Sequence, residues 1–202
     1  MDYEGLTTDD LANVTALNRA WLDLRPGRIG ALSLSRIDRL AEAPFLLFSF
    51  REDDDALWQH LLRDSPQADL IEDTQTHDAD LRSLQAAGLA FLWELARRNP
   101  YVARVVSGAT LGWCGKLAGT TLAALLGKVS HQLIICERFA ADDVRLERLL
   151  QRGAGADTTL REATQMGVLH SLLTQGPDTR QERLPAAACS ISLPHRKVAD
   201  EV

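Results

Sequence analysis

Apolar and polar positions follow the 3.6-residue period of helices from near the start of the chain. Leu11, Val14, Leu17, Trp21 and Leu24 recur at that spacing. Thr7 and Asp10 precede them as a helix start, with an acceptor at the cap and an acid in the first turn. Pro26-Gly27 ends the segment. Residues 33–43 predict a short second helix, with Leu34, Ile37, Leu40 and Ala41 inward and Arg36, Asp38, Arg39 and Glu42 outward, stopped by Pro44. Residues 45–50, Phe-Leu-Leu-Phe-Ser-Phe, fit either a buried strand or an apolar helical turn. Periodicity cannot separate the two at that length. Asp53, Asp54 and Asp55 then open a helix carrying Leu57, Trp58, Leu61 and Leu62, and the polar, acidic stretch 65–77 reads as a loop.

The strongest helical pattern spans 80–98. One stripe is Leu81, Leu84, Gly88, Phe91, Leu92 and Leu95, and a second is Ala86, Leu89, Trp93 and Ala96. Two apolar faces on one helix predict a buried central element. Arg97-Arg98 suit its C-terminal dipole, and Asn99-Pro100 supply a cap and a first-turn proline for the next helix. Further helices are predicted at 100–126, 130–139, 142–151 and 158–173, the last with Thr159 and Glu162 as a capping box. His170 falls on a face with Leu160, Ala163, Gly167 and Leu173, where a hydrogen-bonded core histidine is expected. Beyond Gly176-Pro177 the helical period is lost, and Pro185 and Pro194 bracket the apolar run 186–193. The expected fold class is all-α. A single-domain bundle of about seven to nine helices around a central buried helix covers 1–176, and 177–202 form an extended or partly disordered tail.

Composition agrees with this picture. Of 202 residues 46% are hydrophobic and 25% charged, ordinary values for a soluble globular chain, which exclude disordered, collagen-like and membrane-embedded classes. The net charge of −6 gives no global basic field for nucleic acid. Charge is unevenly placed: residues 1–100 hold 10 bases and 18 acids, and residues 101–202 hold 12 and 10. That distribution suits an acidic lobe beside a weakly basic one. Cys114, Cys136 and Cys189 are three, too few and too scattered for a disulfide scaffold or a zinc site. The acidic N-terminus lacks the apolar stretch of a signal peptide. Residues 101–127 are interrupted by Arg104 and Lys116, short of the roughly 18–20 apolar residues of a membrane span. A cytoplasmic location with no membrane partner is expected.

Two groups of residues stand out. Gly108, Gly112, Gly115 and Gly119 fall on one arc of the predicted 100–126 helix, with Tyr101 and Arg104 on the same side. Each interior glycine costs a helix about 1 kcal/mol. The set therefore implies close packing of another helix on this face, or a groove for a ligand or second subunit. Their spacing is not that of a phosphate-cradling loop, which needs a preceding strand. The second group is at about 120–139. Ala123, Gly127 and Ser130, followed by Ile134 and Glu137, resemble the bacterial helix-turn-helix motif, in which the second helix enters the major groove. Ser130, His131 and Gln132 would then meet bases, and Arg145, Arg148 and Arg152 phosphates. Lys128 is one residue extra in the turn, and Leu133-Ile134-Ile135-Cys136 is apolar for a recognition helix.

The acids at 52–55 and 72–80 lack the spacing of a calcium loop and read as a helix-start cluster. No G-x-S-x-G motif or Cys–His set marks a nucleophile, and Cys114 reads as a small buried packing residue. No catalytic residue, metal ligand or cofactor is assigned. The first reading is a non-enzymatic helical protein-protein interaction or regulatory protein, with a protein partner or a homodimer preferred to nucleic acid. The alternative is a DNA-binding transcriptional regulator with a degenerate helix-turn-helix. A further alternative is a small-molecule-binding sensor or small enzyme.

Overall fold

A computed structural model of the chain describes residues 5–24, 32–63, 76–140 and 142–174. These residues form nine α-helices: α1 (Thr8–Leu24), α2 (Leu34–Ala41), α3 (Asp55–Arg63), α4 (Thr76–Arg98), α5 (Pro100–Ser107), α6 (Leu111–Ala118), α7 (Leu122–Val129), α8 (Val144–Arg148) and α9 (Thr158–Thr174). A π-helical turn, Leu149–Gly153, continues α8. Strands β1 (Phe48–Ser49) and β2 (Cys136–Glu137) form a two-residue antiparallel ribbon, with Phe48 opposite Glu137 and Ser49 opposite Cys136. The fold is all-α. The expected tail at 177–202 lies outside the described residues.

Local chemistry sets the helix ends. Thr7 and Asp10 cap α1 reciprocally: Asp10 N–H donates to Thr7 Oγ1 at 3.1 Å and Thr7 N–H to Asp10 Oδ2 at 2.8 Å. Asn99 caps α5 through Tyr101 N–H, with Pro100 in the first turn. Asp54 accepts from Leu57 N–H at 2.9 Å at the start of α3. At α9 the expected Thr159–Glu162 box gives way to Asp157, whose Oδ1 accepts from Leu160 N–H at 3.1 Å, because the helix begins at Thr158, two residues ahead of where a Thr159 cap would start it. Leu34, expected inward on α2, is 71% exposed. His170 also faces outward, with Leu160, Ala163 and Gly167, and the buried side of α9 is Gln165, Val168 and Leu169.

Helix α4 carries the core. Leu81, Leu84, Leu89, Leu92, Leu95 and Ala96 are buried in it, and Leu89 is fully enclosed. Helices α5, α6 and α7 pack on one flank and α1 on another. Phe48 and Phe50, edge to face at 5.4 Å, cover a third side. That cover depends on Gly88: a β-carbon there would fall 2.7 Å from Phe50 Cζ and 3.5 Å from Phe48 Cε2. The helix is nevertheless not wrapped all round, because Ser83 and Ala87 are exposed.

Three buried amide side chains hold the irregular segments. Asn18 donates to the carbonyls of Ala41, Ala43 and Phe45 and accepts from Leu47 N–H at 2.8 Å. The 45–50 run is thus neither a helix nor, beyond β1, a strand, since Asn18 takes Phe45 O and Leu47 N–H, Val106 O takes Leu46 N–H, and Arg138 takes Leu46 O and Phe48 O. Gln85 donates to Val129 O and Gln132 O and accepts from Ile134 N–H and Ile135 N–H at 2.7 and 3.0 Å. Gln165 donates to Gly153 O at 3.0 Å. Each replaces a stretch of regular hydrogen bonding that burial would otherwise demand.

Two expected helices change for these reasons. Residues 130–139 are not helical; they form a turn, an extended run and β2. The amide of Gln85 takes over the backbone groups a helix would use, which lets Ile134 and Ile135 both be buried. The expected 100–126 helix is three helices. It ends first at Gly108, whose φ of +69° is left-handed and terminates α5. Thr110 and Thr121 then cap α6 and α7.

Candidate functional site

Helices α1 and α4 run antiparallel, with the start of α1 tied to the end of α4 by Asp10 and Arg98 at 2.5 Å. Burial by itself would raise the Asp10 carboxyl. Hydrogen bonds from Arg98 and Thr7 outweigh it and hold the carboxyl below its ordinary value. Each helix turns one stripe into the core: Val14, Asn18, Trp21 and Leu22 on α1, and the leucines named above on α4. The neighbouring stripes are left facing each other across an open groove of about 900 Å³.

The groove is built mainly from small and apolar groups. Ala16, Leu17, Ala20 and Leu24 line it from α1, and Leu84, Ala87, Ala90 and Phe91 from α4. Leu122, at the start of α7, adds a third wall. Leu84 is its buried member, while Ala16 and Ala87 are exposed and Ala20, Ala90, Leu17 and Phe91 half-buried. Trp93 stands at one end, its indole N–H donating to Thr120 O at 2.7 Å and Arg97 stacked 4.9 Å from its ring centre. Its orientation is therefore fixed. Of the four tryptophans, Trp21, Trp58 and Trp113 are buried, and Trp93 is half-buried.

Among the described residues, the charges on the rim have one sign: Asp23, Asp80 and Glu94 are the charged residues of the lining. Asp23 is paired with Arg19 at 3.2 Å. Among the described residues, no cation lies within ion-pair distance of Asp80 or Glu94. Arg98, one turn beyond Glu94, is engaged by Asp10. From Asp80 to Glu94 the groove follows α4 for about 21 Å at 1.5 Å per residue.

The residues singled out in the sequence lie elsewhere and are not brought together. Tyr101 is 67% exposed on α5. Arg104, also on α5, donates to Leu173 O at 2.8 Å at the end of α9. Gly108 is the left-handed end of α5, and Gly112 and Gly115 lie on exposed positions of α6, with Gly119 after it. These glycines therefore do not share one helix face. No described atom comes within 4 Å of a β-carbon built at Gly115, and at Gly112 the nearest is Thr110 Oγ1 at 3.8 Å. Close approaches are found at Gly108, where a β-carbon would fall 3.0 Å from Arg138 Nη1, and at Gly88. Ser130, His131 and Gln132 are exposed, but on a turn, since residues 130–139 form no helix directly after α7. Arg145 is folded back on Asp143 at 2.5 Å, and Arg148 and Arg152 are exposed.

The acids and thiols also find places. Glu52 is buried against Arg138 at 3.3 Å and accepts from Ser49, and Arg138 also donates to Leu46 O at 2.7 Å. Asp55 pairs with Lys116. Burial pushes the Cys114 thiol up to about 11 and raises that of Cys136, so both are protonated, poor nucleophiles at neutral pH. Among the described residues, no helix is long and apolar enough to cross a membrane.

The groove was not found from the sequence, although a signal was present. Ser83, Ala87 and Ala90 are small residues at helical spacing on a helix otherwise rich in leucine. They leave a third stripe that neither apolar face accounts for. No protein-family model, no curated protein and no solved structure matches this chain.

Proposed function

We propose that this chain is a non-catalytic protein-interaction module that receives a helical segment of a partner protein in the α1–α4 groove. The observation that carries the reading is the groove itself: an open apolar channel between two antiparallel helices, lined by alanines, leucines and a phenylalanine. A third helix laid into such a channel completes the burial that α1 and α4 leave unfinished, which is how amphipathic helices dock in grooves. The walls are preorganised. Asn18, on the opposite stripe of α1, locks that helix to residues 41–47, and Gln85 locks α4 to residues 129–135. Rigid walls reduce the ordering cost of binding.

Selection of displayed helical peptides on the purified protein tests the proposal. Enriched peptides should bind with the apolar spacing of an amphipathic helix. Filling the groove by Ala20→Trp or Ala87→Trp, both at positions open to solvent on one side, should abolish that binding while leaving the far-ultraviolet circular dichroism unchanged. Enriched peptides that bind the filled variants as well as the original protein would show that the groove is not the binding site.

A further inference from the structure

The charge and dimensions of the groove define its occupant more narrowly, on the reading that it binds a helix. We infer that the partner segment is a basic amphipathic helix of about four turns, with large apolar anchors on one face and Lys or Arg near both ends of that face. The length follows from Asp80 and Glu94, which stand at opposite ends of the channel 14 positions apart on α4, about 21 Å. Both carboxylates lack an ion-pair partner among the described residues, whereas Asp23, exposed in the last turn of α1, already has Arg19. A docked cation at Asp80 would therefore meet an acid without an ion-pair partner among the described residues, and one at Glu94 an acid that interacts with Arg98 only through space, without a direct ion pair. The size of the anchors follows from the walls: Ala16, Ala20, Ala87 and Ala90 are small groups along both helices, and the channel of about 900 Å³ beside them has room for large side chains from the partner.

Charge also argues against the two occupants the chain itself could provide. A second copy docked by the same face would set Asp23, Asp80 and Glu94 against acids of the same kind, and like charges in a desolvated interface oppose association. The C-terminal segment 175–202 carries four bases and four acids, with prolines at 177, 185 and 194. It offers neither a net positive charge nor an uninterrupted four-turn helical stretch.

The test uses the full chain and three 18-residue synthetic helices without tryptophan. They share one leucine-rich face and carry Arg, Gln or Glu at the flanking positions. Binding is read from tryptophan emission, because Trp93 lines the groove and the other three tryptophans are buried, and Trp93→Phe serves as the control that should remove the signal. The Arg peptide should bind at least tenfold more tightly than the Gln peptide, and the Glu peptide more weakly than either. Raising the salt from about 50 to 500 mM should narrow the gap, since the exposed charges become screened. The double variant Asp80→Asn with Glu94→Gln should equalise the Arg and Gln peptides without changing the circular dichroism.

Equal binding of the Arg and Gln peptides to the original protein would overturn the basic-partner inference while leaving helix docking intact. Binding by none of the three would remove both. Concentration-dependent self-association that Ala87→Trp abolishes would give the groove to a second copy. Faster hydrogen exchange in α1 and α4 after Ile191→Asp with Leu193→Asp would give it to the chain's own C-terminal segment. Either result refutes the inference.

Discussion

Replacing Gly88 and Gly115 by alanine, one at a time, should move the stability of this protein in opposite directions. Both lie inside helices, where alanine is favoured over glycine by roughly 0.8–1.0 kcal/mol. At Gly115 nothing opposes that gain: the position is exposed and no described atom lies within 4 Å of the added carbon. The variant should be more stable by about 0.5–1 kcal/mol. At Gly88 the added carbon falls 2.7 Å from Phe50 Cζ, about 1 Å inside ordinary carbon–carbon contact. Phe50 cannot simply turn aside. It is fully buried and stands edge to face with Phe48, which itself packs 5.3 Å from Trp21. Overpacking of this kind costs about 1–3 kcal/mol, which exceeds the propensity gain and leaves a net loss of up to about 2 kcal/mol. Equilibrium unfolding in urea, followed by circular dichroism, separates the two. With a slope of roughly 2 kcal/mol per molar, the midpoints should differ by about 0.5–1.5 M. A Gly88→Ala midpoint as high as that of Gly115→Ala would refute the claim that Phe50 is seated on the α4 backbone.

Asn18→Ala should lower stability by about 2–4 kcal/mol, because it strands the Leu47 N–H and the Phe45 carbonyl in the core; a loss below about 1 kcal/mol in the same urea assay would show that residues 41–47 hold themselves. The Asp10–Arg98 pair predicts a pH dependence. The Asp10 carboxyl is depressed in the folded protein, so its contribution is present above its usual value of 3.8 and is lost as the pH falls through the lower folded value. Asp10→Asn should flatten the acid limb of the stability curve, and an unchanged limb would mean the pair contributes nothing to it.

Much of the helical framework was legible in the sequence, because the interactions that set it are local. The apolar spacing of 11–24 and 80–98, the Thr7–Asp10 cap, and the Asn99-Pro100 break all rest on contacts within about one turn of chain, and the structure shows helices with those caps. The glycines of 108–119 were misread for the complementary reason. Their sequence spacing assumed a continuous helix, whereas a left-handed Gly108 and the Thr110 and Thr121 caps divide the segment, parting Gly108, Tyr101 and Arg104 on α5 from the exposed Gly112, Gly115 and Gly119 of α6 and its cap. Residues 130–139 have helical periodicity but lose the helix to a single side chain 49 positions away, the separation of Gln85 from Ile134.

What the sequence determined by itself was therefore the all-α class, the places where most helices begin, and the apolar stripes on α1 and α4. The tertiary structure decided which stripe each helix buries, where a phenylalanine sits on a glycine, and that a stripe of alanines rimmed by Asp80 and Glu94 stays open between α1 and α4. The physical reason is range. Helix propensity and capping act over a few residues, whereas the choice of buried face depends on long-range contacts, such as those of Asn18 and Gln85, that form only once the chain has closed on itself.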